Sequence, residues 1–368
     1  MVNIPAIIQD GREIENSVSL VIDNRVYHAW ENVSVAKSMT QISGSFSVNI
    51  SDRWRQENAQ WPLKPGKNVG VYVGKQQIIN GYIDSLNANF DASTRTITLT
   101  GRDKTGDLVD CSVIDPPGEF RGLNLQELAK RFLSPFGIQL KVETDIGAAF
   151  DPFTIKQGES VFEALSRAAK IRGVLLISDE NGDLVLTRRG SRKSNTALVQ
   201  GVNILKGSVN YDNSKRFSNY FIKGQTAGTD EFHGKNAASS RGTAQDTGIV
   251  RYRPLLVIGE TSLNTTESQK RAEWEASVRA AEGVTLDIEV AGWQKRDGTL
   301  WKVNELVDVD CKMLGITSEM LMNNITFTKS NSGGTVSQMS LGRQDAFEPE
   351  SVIEKENDPI EKLGWKDS

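Results

Sequence analysis

The side chains able to do chemistry are few in this 368-residue chain, and their spacing decides what they can do. His28 and His233 are its only histidines. His28 sits in strand-like sequence between Tyr27 and Trp30 and reads as a packing residue. His233 stands near Asp230 and Glu231, in a stretch of Gly, Ala, Ser and Thr that fixes no ligand geometry, so no metal site is expected there. Cys111 and Cys311 are too few for a disulfide framework or a thiolate zinc site. The run Asp179-Glu180-Asn181-Gly182-Asp183 begins like a calcium loop. Leu184 then stands where glycine is required and Gly190 where an acid is required, so the run reads as a turn. Arg188, Arg189, Arg192 and Lys193 could meet a phosphate, but their place after a hairpin, around Gly190 and Ser191, reads as a solvated loop. No metalloprotease, phosphate-loop, nucleophile-elbow or paired C-x-x-C motif occurs, and no carboxylate pair is singled out for glycoside hydrolysis. Catalytic, cofactor-binding and metal residues are all expected to be none.

Composition sets the frame for the elements. Hydrophobic residues make up 38% and charged residues 24%, ordinary values for a globular protein with room for two or three cores. No apolar run approaches the roughly 20 residues that span a bilayer, so no membrane insertion is expected. The start, Met1-Val2-Asn3-Ile4-Pro5, lacks a basic stretch followed by an apolar one, which fits synthesis in the cytoplasm. The net charge of −4 argues against a chain built to grip nucleic acid.

The strongest pattern is an internal duplication at an offset of about 240 residues. Gly44 followed by Phe46, Val48 and Ile50 matches Gly283 followed by Leu286, Ile288 and Val290. Trp54 and Trp61 match Trp293 and Trp301. The segment from Lys67 to Val73 faces Glu305 to Cys311, and Ile78 to Ile83 faces Met320 to Phe327. Ile97 to Arg102 is set against Val336 to Arg343, with a shared Gly-Arg after the last strand. Each segment alternates with period two between turn residues, so each copy predicts four or five short strands in a small barrel or sandwich. A fixed Arg102 or Arg343 could pair across a subunit boundary; a local turn and salt bridge, including Asp103, is the other reading.

Between the copies the texture changes. Asn124 with Glu127, and Ser160 with Glu163, form capping boxes ahead of two helices with buried stripes. Each helix is followed by Gly137 or Gly173 and a short strand, and a hairpin spans Leu175 to Leu186. The fold class expected is α+β, mainly β: two similar small β-barrels flanking an inserted α+β domain of two helix–strand units. The boundaries are 1–105 for the first barrel, 106–195 for the insert and 196–347 for the second barrel. The second contains a mobile loop over 226–248 and a helix over 265–282. Residues 348–368 form an acidic tail expected to be disordered. The segment from Ile155 to Leu165 is similar to the start of LysM modules, which bind peptidoglycan, and also fits a plain capped helix.

Longer runs are similar to one family. Gly101-Arg102-Asp103-Lys104-Thr105-Gly106-Asp107-Leu108-Val109-Asp110-Cys111 resembles a signature of Mu-like phage baseplate hub proteins. Arg216 to Tyr220, Arg251 to Leu255, Arg271 to Glu275, Gly292-Trp293 and Leu300-Trp301 match as well, in consistent order from about residue 4 to 347. The resemblance implies a homotrimer in which two β-barrels per chain form a six-membered ring. Such a ring adapts a sixfold tail tube to a threefold spike in the virion tail, after assembly in the host bacterial cytoplasm. The partners implied are the tail tube protein, the central spike protein and other baseplate proteins, with phage DNA passing through the bore without specific binding. The spike base of a type VI secretion or contractile-toxin system is the alternative, and a peptidoglycan-binding tail protein a further one. Arg102, Asp103, Arg343, Trp54, Trp61, Trp293 and Trp301 are the residues expected to define the barrels or their interfaces.

Overall fold

The computed structural model describes residues 8–9, 12–13, 17–28, 30–51, 63–91, 95–116, 118–150, 152–190, 192–223, 241–258 and 265–348. Trp54, Trp61, His233 and the acidic tail beyond Glu348 lie outside them.

After a small hairpin of β1 (Ile8–Gln9) and β2 (Arg12–Glu13), the first module contains seven strands. They are β3 (Val18–Ile22), β4 (Arg25–Tyr27), β5 (Asn32–Ser38), β6 (Ser45–Ser51), β7 (Asn68–Val73), β8 (Gln76–Phe90) and β9 (Arg95–Asp103). Their spatial order is β5-β6-β9-β8-β7-β3-β4. The two-residue turn Asp23-Asn24 holds both residues at positive φ, the primed geometry that suits twisted hairpins. Strand β8 serves two neighbours: its first half pairs with β7 and its second with β9, with a bulge between Ile83 and Ser85. The close crossing needs glycine, since a Cβ on Gly81 would lie 1.9 Å from the Arg102 carbonyl oxygen. His28, just past β4, is exposed rather than packed.

The insert has its own core. Its elements are α1 (Gly106–Asp110), β10 (Glu119–Phe120), α2 (Leu125–Leu133), β11 (Leu140–Val142), β12 (Phe153–Thr154), α3 (Val161–Ile171), β13 (Leu175–Ser178) and β14 (Leu184–Thr187). Both capping boxes form as expected, and the apolar stripes of α2 and α3 are buried together. β14 lies between β11, parallel to it, and β13, antiparallel to it. The LysM-like segment places Val161, Ala164 and Leu165 in this core.

The second module comprises β15 (Arg192–Lys193), β16 (Leu198–Val199), β17 (Ile204–Tyr211), β18 (Asn219–Lys223), β19 (Arg241–Gln245), β20 (Pro254–Ile258), α4 (Thr265–Glu282), β21 (Val284–Ala291), β22 (Glu305–Cys311), β23 (Ile316–Ser330) and β24 (Gly334–Gly342). The order β17-β21-β24-β23-β22 repeats β5-β6-β9-β8-β7. Even the bulge recurs, between Met322 and Asn324 of β23. β18, β19 and β20 form a separate sheet in contact with α4. Strand β19 corrects the loop expected over 226–248: residues 241–245 pair with β18, while 226–240 lie outside the described residues.

Two findings refine the repeat. The modules share one 14-stranded sheet and one core, because β23 pairs with β5 across the chain. The Gly-Arg equivalence is one residue out. Arg102 faces Ser45 on β6, whereas Gly342 faces Thr285 on β21, so Arg102 corresponds to Gly342 and Asp103 to Arg343. A slip of one residue moves a strand's side chains to the opposite face, so the difference matters.

Candidate assembly surface

The residues singled out in sequence have distinct fates. Asp103 is buried (1% exposed) and its two oxygens gather six donors. Oδ2 accepts from Lys37 Nζ (3.1 Å), the Gly44 amide (2.8 Å) and Ser178 Oγ (2.7 Å). Oδ1 accepts from Ser43 Oγ (3.1 Å), the Thr105 amide (3.2 Å) and Thr105 Oγ1 (2.5 Å). Lys37 also donates to the Asp179 carbonyl (2.8 Å). One carboxylate therefore ties β9, the β5–β6 loop and the insert's β13 together.

Arg102 is paired inside the chain, through Nε to Asp84 (2.7 Å) and through both Nη atoms to Asp110 (3.1 and 2.6 Å). The hydrogen bonds to Asp110 and then Asp84 raise the guanidinium's pKa, and Arg102 in turn pulls the Asp110 carboxyl below its ordinary value. Burial acts the other way on nearby Asp107 and raises its carboxyl. Arg343, at the register position of Asp103, is exposed. Trp293 is buried against Phe327, and its Nε1 donates to the carbonyls of Thr328 and Val336, each at 3.0 Å. Trp301 is also buried, but its Nε1 meets no partner among the described residues. It lines a cavity of about 90 Å³ where both modules meet the insert, room for about three waters.

Three residues of the basic cluster are held by carboxylates of the same chain, and Arg188 is exposed. Arg189 pairs with Asp345 and Glu348, Arg192 with Glu143, and Lys193 with Asp308 and Glu319. In the calcium-like run, the Asp179 carboxylate accepts the amides of Asn181 (2.8 Å) and Asp183 (2.9 Å), closing a turn. No group of three or more His, Cys, Asp or Glu among the described residues is placed to hold a metal, and none of the described helices is long and apolar enough to cross a membrane.

Sequence reasoning missed a feature of the sheet as a whole. Along β17-β21-β24-β23-β5-β6-β9-β8 one face packs into the shared core and the other carries small polar side chains. In the first module that face presents Ser34, Ser45, Ser47, Asn49, Thr98, Thr100, Ser85 and Asn87, in cross-strand register. Asn49 donates to Thr98 (3.0 Å), and Ser85 and Thr100 share a hydrogen bond (2.8 Å). In the second it presents Ser208, Asp287, Glu289, Gln338, Ser340, Asn324 and Thr326, lining a depression of about 470 Å³ together with Lys206. Lys206 is paired to Glu289 at 3.1 Å. The period-two alternation of Ser, Thr and Asn was present in the sequence, but only the strand order joins it into one surface.

This architecture occurs in known proteins. The "Baseplate hub protein gp44-like, second domain" family matches residues 105–188. The "Mu phage baseplate assembly protein GpP-like, N-terminal" and "Mu phage baseplate assembly protein GpP, fourth domain" families match residues 17–103 and 264–350. The chain is 34% identical over 342 residues to the baseplate hub protein gp44 of Escherichia phage Mu, covering 91% of this chain and 89% of that protein. It belongs to the Mu-like baseplate hub family.

The crystal structure of the 43 kDa tail protein of prophage MuSo2 from Shewanella oneidensis superposes with a TM-score of 0.82 at 32% identity, covering 91% of this chain and 100% of that one. A chain of the Francisella PdpA–VgrG complex shares the fold at 8% identity and a TM-score of 0.57, covering 92% of this chain and 53% of that one. The protein is therefore a structural hub of a Mu-like phage tail baseplate, a virion component and not an enzyme.

Proposed function

We propose that three copies of the chain close into a ring at the centre of the baseplate and adapt the sixfold tail tube to a threefold central spike. The repeated strand order, with its repeated bulge, carries this reading. Closed rings of identical chains use head-to-tail contacts, and a chain with two like modules contributes two near-equivalent positions. Three chains then offer six positions to the tube while remaining threefold towards the spike. The insert, and the β18–β20 sheet with α4, occur in one place per chain and leave threefold surfaces for other baseplate proteins. Assembly takes place in the host cytoplasm before the tail is complete.

The polar sheet face lines the bore in this reading. Its side chains are mostly hydroxyls and amides; of its charges, Asp287 and Glu289 are acids, Lys206 is neutralised by Glu289, and Arg102, in register with Ser45, is held by Asp84 and Asp110. Such a wall displaces no counterions from passing DNA and lets it slide. A gel shift with linear duplex DNA at low salt is expected to detect no complex. Firm retention would contradict the bore assignment.

Light scattering on the purified full chain tests the ring. The expected mass is three times that of the chain, with interfaces burying more than roughly 2,000 Å² in total. A monodisperse monomer at high concentration would overturn the proposal. A type VI secretion component and a chain of the PdpA–VgrG complex share the fold, which keeps a spike-base role in view, but the 34% identity to a phage hub supports the phage setting.

A further inference from the structure

We infer that the outward face of the β18–β20 sheet docks one amphipathic helix, apolar on one side and carboxylate-bearing at one end, from a baseplate protein other than the hub. This rests on the reading above that surfaces occurring once per chain meet other baseplate proteins, and it names the surface and the chemistry that fits it.

The sheet is covered on one side only. Its inner face lies on α4, where Gly242 packs against the Ser268 carbonyl, and Tyr220 and Ile222 are buried. β18 and β20 run parallel, and parallel strands are ordinarily covered on both faces. Here the outward face is bare among the described residues. In cross-strand register it sets Phe221 beside Leu256 and Lys223 beside Ile258. Phe221 is 38% exposed, Leu256 52% and Ile258 60%. Val250 and Tyr252, on the connection into β20, add two more exposed side chains with apolar surface. Apolar groups gathered on one exposed face mark an interaction surface.

Charge selects the partner. Lys223 faces Arg241 directly across the antiparallel pair, and both are exposed. No ion pair of either falls among the described residues, and no acid stands at the outward positions of the three strands. Like charges side by side destabilise a sheet, and a carboxylate supplied by a partner offsets both at once. The size of the face sets the partner's form. Three strands about 4.8 Å apart, with rows of outward residues about 6.7 Å apart, make a patch of roughly 10 by 13 Å. That is the footprint of one helix, about 10 Å across, over two to three turns. Apolar residues at i, i+3, i+4 and i+7 would cover Phe221, Leu256 and Ile258, with carboxylates over Lys223 and Arg241. The sheet would then lie between two helices, α4 on one side and the partner's on the other.

Photo-crosslinking in assembled tails tests this. The full chain carrying Phe221→p-benzoylphenylalanine, or separately Leu256→p-benzoylphenylalanine, is supplied to a phage whose own hub gene is inactive. Tails are purified and irradiated, and the crosslinked peptides are sequenced. The expected product is one segment of a baseplate protein other than the hub, net negative and with helical spacing of its apolar residues. Thr243→p-benzoylphenylalanine, at the margin of the face beside Phe221, keeps the test readable if a label at the centre blocks assembly. Lys223→Glu with Arg241→Glu should lower the yield of that crosslink about tenfold or more, while light scattering finds the purified variant at the mass of the parent. The inference is overturned by a crosslink to another copy of the chain, to the same chain, or to a segment of net positive charge. It is equally overturned if labelled tails give no crosslink, or if the charge-reversed variant crosslinks as well as the parent. A monomeric parent would overturn the ring and leave the crosslink to decide this surface, so the two failures are distinguishable.

Discussion

The two β modules share strand order and bulge but differ at their edges. The first module's β5 is covered by β23 of the second, whereas among the described residues the second module's β17 is open beyond a bridge of Ile204 with Gln200, as is the half of β8 that corresponds to the covered half of β23. A single chain thus holds one finished joint and both halves of an unfinished one, which is what a repeating unit of a closed ring looks like when seen alone. The modules also differ in what the chain inserts. The step from β5 to β6 takes residues 39–44, while the step from β17 to β21 takes 212–283 and includes a sheet and a helix. Like positions have been kept where modules meet one another, and unlike ones where each meets something else.

The largest expected effect comes from one register position in both modules. Asp103→Ala removes a buried carboxylate with six donors and leaves the Lys37 ammonium without its counter-charge, so a loss of about 3–5 kcal/mol in denaturant unfolding is expected. Arg343→Ala, at the matching exposed position, should stay within about 0.5 kcal/mol. Equal effects at the two positions would break the asymmetry argued here.

The paired tryptophans come next. Trp293→Phe takes a donor from two carbonyls, whereas Trp301→Phe removes an N–H with no partner among the described residues. The first should cost about 1–2 kcal/mol more than the second in thermal or denaturant unfolding.

Acid should loosen the second module's extra sheet before the shared one. Burial raises the Asp246 carboxyl, but the two hydrogen bonds from Arg216 (each 2.9 Å) and the Gly248 amide outweigh it, and the net shift is downward. A depressed carboxyl contributes stability above its unfolded pKa, about 3.9, and loses it as pH falls through the folded value. The protection of β19 amides against hydrogen exchange, measured relative to the intrinsic rate at each pH, is therefore expected to fall below about pH 4 more than that of β9.

Phe90→Glu should change fold stability least, within about 0.5 kcal/mol, because the side chain is 87% exposed. Its effect belongs to assembly: sedimentation should find the variant dissociating at concentrations where the parent chain holds together. Lys329→Glu, at the matching place in the intrachain seam, should leave assembly unchanged.

Much of this was legible in the residues. The duplication could be read because strands such as β6 and β21 bury alternate side chains, and burial leaves a period in the sequence. The two capping boxes were legible for the same local reason. The shared dipeptides Gly101-Arg102 and Gly342-Arg343 misled the alignment by one residue, because register is set by the partner strand and not by local likeness. Strand β19 was missed because its Arg-Gly-Thr-Ala-Gln sequence has the small residues of a loop. Here they serve close packing: a Cβ on Gly242 would sit 1.9 Å from the Ser268 carbonyl oxygen of α4. The β23–β5 joint left no trace in the sequence, since strand pairing uses backbone groups that every residue carries. Of the candidate residues, Asp103 became the tie between module and insert, while Arg102 closed on neighbours of its own chain.

The most direct test is electron microscopy of the purified protein viewed end-on. Rotational analysis of class averages should give a closed ring of six near-equal densities with a weaker threefold modulation from the insert and the extra sheet. Three separated lobes with no sixfold component, or particles with no ring, would contradict the claim that one chain supplies two interchangeable positions.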